Sequence, residues 1–136
     1  MYLLDTNFVS ELRKGPRANP GVRRFLEDEA DGALYLPVQV IGELRRGVHN
    51  VRTRGDKIQA RLLEEWLDDM VDSFQDRLIV FDVECAQLWG TLMVPCPHHP
   101  IDKQIAAVAL IHDMTVVTRN VDDFRPTGAK VLNPFR

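Results

Sequence analysis

The chain has 136 residues, of which 45% are hydrophobic and 27% are charged. This length suits one compact domain spanning residues 1–136, and the composition excludes disordered and fibrous classes. The formal net charge of −3 gives no whole-chain signal for nucleic-acid binding. Any such signal must therefore come from local clusters of basic residues.

Cysteine usage and hydropathy predict the cellular compartment. The two cysteines, Cys85 and Cys96, form no CxxC pair, so neither a disulfide scaffold nor a structural zinc site is expected. The chain has no 18-residue apolar run, and its N-terminus lacks the basic-then-apolar pattern of a signal peptide. We therefore expect a cytoplasmic protein that does not enter a membrane.

Short apolar runs alternate with segments of helical periodicity along the chain. The first run, Tyr2–Leu4, ends at an acid, and the same pattern recurs at residues 77–81. Strand-length runs between amphipathic helices predict an α/β layer fold with a mostly parallel sheet. The predicted strands are 2–4, 33–36, 77–81, 115–118 and 130–132, and the predicted helices are 6–12, 20–30, 38–50, 55–74, 83–94 and 101–112.

Residues 95–100 read Pro-Cys-Pro-His-His-Pro, a composition that neither a helix nor a central strand accepts. His98 and His99 carry the metal-binding side chains of this segment. Adjacent histidines do not easily face one ion without further ligands. We therefore expect both histidines to lie in an exposed loop.

Four acidic residues stand where the predicted fold would bring them together. Asp5 directly follows the first strand, and Asp123 is predicted in the loop after the fourth strand. Asp102 falls in the first turn of a helix, and Glu43 lies at the edge of the buried face of the helix after strand two. Open parallel sheets bind ligands beyond the carboxyl ends of their strands, so this edge is the candidate site.

Converging carboxylates without basic partners raise one another's pKa unless a cation lies between them. Such hard oxygen ligands suit Mg²⁺ or Mn²⁺, and the typical chemistry is hydrolysis of a phosphodiester. An acid at a strand end or helix start is also a common helix cap. Spacing alone therefore leaves both capping and metal binding open for Asp5 and Asp102.

Five sequence blocks follow one another along the whole chain. They are Leu4–Leu12 (LDTNFVSEL), Gly42–Gly47 (GELRRG), Ile101–Ala107 (IDKQIAA), Thr118–Phe124 (TRNVDDF) and Val131–Pro134 (VLNP). Together, and in this order, they resemble one known family, the PIN-domain proteins, and particularly the VapC-type toxins of bacterial and archaeal toxin–antitoxin pairs. The first two blocks look most like the FitB-like branch of that family.

The resemblance implies a three-layer α/β/α PIN-like fold with a mostly parallel central sheet and a helical arm. It also implies a site for Mg²⁺ or Mn²⁺, in which Thr118 orients water or a carboxylate. Asp122 is a rival for the fourth acidic position, and Asn120 stands where some PIN proteins carry a further acid. The implied metal ligands are Asp5, Glu43, Asp102 and Asp123.

For function, the resemblance implies a metal-dependent endoribonuclease that hydrolyses RNA. It further implies a homodimer and a small VapB-type antitoxin, through which the toxin would reach operator DNA. The alternative is a FitB-like regulatory component that acts mainly within a DNA-binding toxin–antitoxin complex. The broad apolar faces of the two helices in segment 37–74, the predicted helical arm, are consistent with a dimer contact.

Basic residues cluster near Glu43 despite the negative net charge. Arg45 and Arg46 follow it within a turn or so, and Arg13 lies just beyond the Asp5 block. These arginines are candidate contacts to an RNA phosphate backbone. The alternative is a solvated helix face with salt-bridge partners on a neighbouring helix.

Overall fold

The computed structural model describes all 136 residues. Five strands and seven α-helices alternate along the chain, with short 3₁₀ turns at residues 15–17, 31–33 and 125–127. The elements are β1 Tyr2–Leu4, α1 Thr6–Leu12, α2 Pro20–Asp28, β2 Leu34–Pro37, α3 Val38–Thr53, α4 Lys57–Ser73, β3 Leu78–Ile79, α5 Val83–Leu92, α6 Pro100–His112, β4 Thr115–Val117, α7 Val121–Phe124 and β5 Val131–Leu132.

The strands form one parallel sheet in the order β3-β2-β1-β4-β5. Tyr2 of β1 pairs with Leu34 on one side and with Thr115 on the other. The chain order reverses between β1 and β4, which is where an open sheet leaves a crevice at its carboxyl edge. Because the two strands are parallel neighbours, the residues that follow them meet at that crevice.

Helices on both sides of the sheet complete a three-layer α/β/α fold, as predicted. The middle of α6 is the most enclosed helical segment, since residues 105–109 are all buried. Leu3 and Leu4 of β1, Phe8 of α1 and Phe124 of α7 are fully enclosed in the same core. This core holds both the end of β1 and the end of α7 in fixed positions.

Helices α3 and α4 pack against each other as the predicted helical arm. Val48 of α3 and Ala60 and Leu67 of α4 are buried. Helix α3 runs to Thr53 rather than ending near residue 50, and the turn into α4 contains Gly55 at φ +94°. A left-handed backbone of this kind favours glycine. No helix is both long and apolar enough to cross a bilayer.

Two predicted elements differ from the structure. Strand β3 covers only Leu78–Ile79 instead of the predicted 77–81, since these are the two residues that pair with Leu36 and Pro37 of β2. Asp123 was expected in a loop, but it lies in the one-turn helix α7 that buries Phe124. The Phe124 ring anchors this turn in the core and thereby fixes the neighbouring acid.

Candidate metal centre

Asp5 is the most buried acid of the carboxyl edge, with 2% of the residue exposed. Its Oδ1 accepts a 2.8 Å hydrogen bond from the Thr6 amide and so caps α1. Its Oδ2 accepts a 2.7 Å hydrogen bond from the Thr118 hydroxyl. Burial raises the pKa of Asp5, and the bonds from Thr118 and Thr6 oppose this effect. Asp5 therefore caps helix α1, which is one of the two roles that the sequence left open for it.

The hydroxyl of Thr118 has its orientation fixed by its other partners. Asn7 Nδ2 donates to it at 3.1 Å and the Asn120 amide donates at 3.0 Å. With both acceptor positions occupied, the hydroxyl proton points to Asp5. The Thr118 hydroxyl therefore donates to the Asp5 carboxylate, and its role in a metal site stays a prediction.

Asn7 completes this network, although the sequence identified it only as part of a helix start. Its Nδ2 also lies 3.3 Å from Asp5 Oδ2, and its Oδ1 accepts a 3.0 Å bond from the Arg119 amide. Asn7 thus ties the end of β1 to the segment after β4. The only sequence signal was its position two residues after Asp5, within the first matched block.

Glu43 projects from α3 toward α1 and is half-buried. The Thr6 hydroxyl donates a 2.6 Å hydrogen bond to Glu43 Oε1 and holds the carboxylate in place. One turn further along α3, a Cβ added to Gly47 would meet no atom within 4 Å. The space beside Glu43 is therefore open, as expected from the glycine.

Asp102, Asp123 and His99 form a cluster at the same edge of the sheet. One ligand atom from each of the three residues lies within 4.8 Å of the other two. The pKa of Asp102 is raised to about 6, chiefly by burial and then by the negative charges of Asp5, Asp123 and Glu43, while His99 opposes the rise. All four predicted acids thus act on one another electrostatically.

The structure distinguishes the two neighbouring acids of α7. The Asp122 side chain is 88% exposed and pairs with Arg125 at 3.1 Å. Asp123 is half-buried and faces His99, with 3.6 Å between Oδ1 and Nε2. Asp123 therefore lines the acidic cavity. His99 is exposed in its loop as expected, but its position beside these carboxylates was not foreseen.

An open cavity of about 580 Å³ is lined by Glu43, Asp102, Asp123 and His99 and is also bordered by Arg46 and Asn120; the buried Asp5 is not part of its wall. A second cavity of about 290 Å³ lies on the other side of Glu43 and contains Arg13 and Trp66 in its wall. Glu43 lines both cavities. The crevice at the carboxyl edge therefore adjoins an apolar groove between α1, α3 and α4 at Glu43.

The three predicted basic contacts have different surroundings. Arg45 forms ion pairs across to α4, at 3.1 Å from Glu64 and 2.8 Å from Asp68. Arg46 is exposed at the acidic cavity and makes no ion pair. Arg45 therefore forms the inter-helix salt bridges that were the alternative interpretation. Arg46 borders the acidic cavity, and Arg13 borders the apolar groove.

The donor set fits a divalent cation. No lysine or arginine pairs with Asp5, Glu43, Asp102 or Asp123, so their negative charge lacks a fixed counterion within the protein. Carboxylate oxygens are the ligands that Mg²⁺ and Mn²⁺ take in proteins. A cation between these carboxylates would remove the repulsion that raises the Asp102 pKa.

Comparison with known proteins identifies the family. The PIN domain family model matches residues 2–130. This chain is a member of the PIN domain family. The resemblance found in the sequence blocks is thereby confirmed.

Relatives of the PIN protein described here match it along nearly its full length. It is 32% identical to the plasmid stability protein StbB of Pseudomonas syringae pv. tomato, over 99% of each chain. It is 28% identical to VapC ribonuclease Y4jK of Sinorhizobium fredii, over 99% of this chain and 98% of the relative. The crystal structure of FitAcB from Neisseria gonorrhoeae superposes with a TM-score of 0.86 and 29% identity over 98% of each chain. FitAB bound to a DNA fragment superposes with the same TM-score.

Proposed function

We propose that this PIN protein is a metal-dependent endoribonuclease toxin of a VapBC-type toxin–antitoxin system. The observation that carries the proposal is the set of four uncompensated carboxylates at the carboxyl edge of the sheet, where burial and mutual repulsion raise the Asp102 pKa to about 6. A relative named as a VapC ribonuclease supports the reaction class. We place its action in the cytoplasm, where RNA is available.

The residues that would hold Mg²⁺ or Mn²⁺ are Asp5, Glu43, Asp102 and Asp123. A bound ion supplies Lewis-acid polarisation of a phosphodiester and lowers the pKa of a hydrolytic water. Thr118 and Thr6 hold two of these carboxylates by hydrogen bonds of 2.7 and 2.6 Å. Prealigned carboxylates need little reorganisation when substrate binds.

Arg46 borders the acidic cavity and is our proposed contact to the RNA phosphate backbone. Its guanidinium has no carboxylate partner, so phosphate binding would not require an ion pair to break. Arg13 at the adjoining groove is the second proposed contact. Arg45 would contact RNA phosphate only if its ion pairs with Glu64 and Asp68 of α4 were broken.

A cleavage assay with purified protein tests the proposed activity. Labelled single-stranded RNA and DNA of matched sequence are incubated with Mg²⁺, with Mn²⁺, or with EDTA. We expect fragments from RNA with either ion and none in EDTA. Cleavage that persists in EDTA, or intact RNA under all conditions with folded protein, would refute the proposal.

A regulatory component without important ribonuclease activity is the second candidate function. It is favoured by the match to FitAB in its DNA-bound form. This candidate predicts operator binding together with an antitoxin and intact RNA in the cleavage assay. The proposed toxin cleaves RNA as the free protein, so the two candidates give opposite results with the antitoxin omitted.

We further propose a VapB-type antitoxin as partner, with a basic side chain entering the acidic cavity. A guanidinium would neutralise the carboxylates and compete with the ion for them. That cavity and the apolar groove at Trp66 meet at Glu43, so one antitoxin segment could reach both. Substituting the antitoxin's basic residues singly should restore Mn²⁺ binding in the complex for one of them. If none does, inhibition acts by covering the groove.

We also propose a homodimer. Ile58 and Leu62 of α4 lie one turn apart, with 79% and 57% of each residue exposed. Such apolar residues on a helical arm favour burial against a second copy. Light scattering should give the dimer mass, and Leu62→Lys should give a monomer. A monomeric wild type at micromolar concentration would contradict this proposal.

A further inference from the structure

His99 is the only non-carboxylate side chain in the cluster of close ligand atoms. Its Nε2 lies 3.6 Å from Asp123 Oδ1, and one ligand atom from each of His99, Asp102 and Asp123 lies within 4.8 Å of the other two. Ligands at about 2.1 Å from a shared ion lie about 3 Å apart when adjacent and about 4.2 Å apart when opposite. The separations in this cluster are therefore close to those of a shared coordination sphere.

The backbone presents His99 in an unusual conformation. Its φ of 54° and ψ of 59° are left-handed, and the next residue is Pro100 at the start of α6. A residue before proline is normally extended, and a left-handed non-glycine residue is uncommon. The surrounding structure must therefore fix this geometry.

Lys103 supplies part of that constraint from inside the protein. Only 1% of the residue is exposed, and its Nζ donates to the His98 carbonyl. Its amide donates to the His99 carbonyl at 3.1 Å. One residue of α6 thus holds two successive carbonyls of the loop. Lys103 is buried under this loop and does not enter the acidic cavity.

We propose that His99 supplies a nitrogen ligand to the ion held by Asp102 and Asp123, and that this ligand makes the site prefer Mn²⁺ to Mg²⁺. Mg²⁺ takes oxygen ligands almost exclusively, whereas imidazole binds first-row transition ions more strongly. The inference rests on the proposed metal site and adds the identity of its nitrogen donor.

Pulsed electron paramagnetic resonance of Mn²⁺-loaded protein detects a coordinated imidazole through its ¹⁴N modulation. We expect this modulation in the wild type and its loss in His99→Asn, since asparagine tolerates the left-handed backbone and lacks the ring. His98→Ala is the matched control, because His98 is exposed and lies outside the cluster. It should keep the modulation.

Calorimetric titration with Mn²⁺ and Mg²⁺ separately tests the metal preference. We expect His99→Asn to weaken Mn²⁺ binding about tenfold or more and to change Mg²⁺ binding much less. Wild-type protein that binds Mn²⁺ without ¹⁴N modulation would overturn the inference and leave the proposed function standing. Equal losses for both ions would overturn the preference. Wild-type protein that binds neither ion would refute the metal site and the inference with it.

Discussion

The Thr118 hydroxyl donates a 2.7 Å hydrogen bond to Asp5 Oδ2 across 113 residues of chain. This contact exists because β1 and β4 are parallel neighbours whose carboxyl ends lie side by side. Thr118 is fully buried and Asp5 nearly so. The pair therefore serves both the packing of the sheet edge and the orientation of a proposed ligand.

Thr118→Val should destabilise the protein and weaken metal binding together. The variant keeps the side-chain shape but removes the donor to Asp5 and the acceptor for Asn7 and Asn120. Leaving the buried Asp5 carboxylate without this donor costs about 1–3 kcal/mol. Denaturant unfolding and Mn²⁺ calorimetry measure the two effects. Thr118→Ser retains the hydroxyl and should preserve most of the metal affinity. Equal Mn²⁺ affinity in Thr118→Val and wild type would contradict the orienting role.

The raised pKa of Asp102 predicts how stability changes with pH in metal-free protein. The folded state holds this proton up to about pH 6, whereas the unfolded chain releases it near 3.8. The contribution of Asp102 to the free energy of unfolding therefore falls as pH rises from about 4 to 6. Because the carboxyl is partly exposed and screened, we expect a loss of about 1–2 kcal/mol.

Urea unfolding in EDTA at several pH values measures this contribution. Asp102→Asn removes the titrating group, so its stability should fall less than that of the wild type between pH 4 and 6. Identical pH profiles for the two proteins would contradict the assigned pKa. Mn²⁺ competes with the proton, so it should raise the unfolding temperature of the wild type more at pH 7.5 than at pH 5.

Arg46 and Arg45 offer a matched pair for testing phosphate contact. Arg46→Ala should reduce the slope of log RNA affinity against log salt by about one unit. Arg45→Ala should leave that slope nearly unchanged, because Arg45 is already paired with Glu64 and Asp68. Its exposed ion pairs should contribute at most about 1 kcal/mol to stability. If only Arg45→Ala reduced the salt dependence of RNA affinity, Arg45 rather than Arg46 would be the phosphate contact.

Gly21 has a close contact that predicts a large effect of a small change. A Cβ at this position would lie 1.9 Å from the Pro134 carbonyl oxygen, in the C-terminal segment. Gly21→Ala should therefore destabilise the fold by about 1–3 kcal/mol. A Cβ added to Gly90 in α5 would meet no atom within 4 Å. Gly90→Ala should therefore stabilise the fold by about 0.5–1 kcal/mol. Thermal unfolding of the two variants measures both effects. Similar unfolding temperatures for Gly21→Ala and Gly90→Ala would contradict the packing of the C-terminal segment on α2.

The sheet and its acidic edge were predictable because they depend on short-range patterns. Apolar runs of strand length alternate with helical periodicity, which fixes a parallel sheet, and Asp5 follows its run directly. The sequence could not show that β3 ends at Ile79. Val80 continues the apolar run but is 64% exposed, one residue beyond the last residue of β3 that pairs with β2.

Side-chain direction at the site depends on tertiary packing and was less predictable. Arg45 and Arg46 are consecutive residues, so only the placement of α4 decides which one faces the cavity. The position of His99 follows from a left-handed turn and a buried lysine, neither of which leaves a periodic signal. The exposure of Asp122 and the position of Asp123 at the cavity likewise follow from the burial of Phe124, which orients helix α7.

We propose above all that the carboxylates of this edge hold the ion that RNA cleavage requires. The most direct test measures the single-turnover cleavage rate of a defined RNA against Mn²⁺ concentration for the wild type, Asp102→Asn and Asp122→Asn. Asp122 is the matched control, because it is exposed and paired with Arg125. We predict saturation with Mn²⁺ for the wild type and Asp122→Asn, and at least a hundredfold lower rate for Asp102→Asn, on the order of the loss of a transition-state interaction. A wild-type rate for folded Asp102→Asn, or a rate independent of Mn²⁺, would contradict the claim.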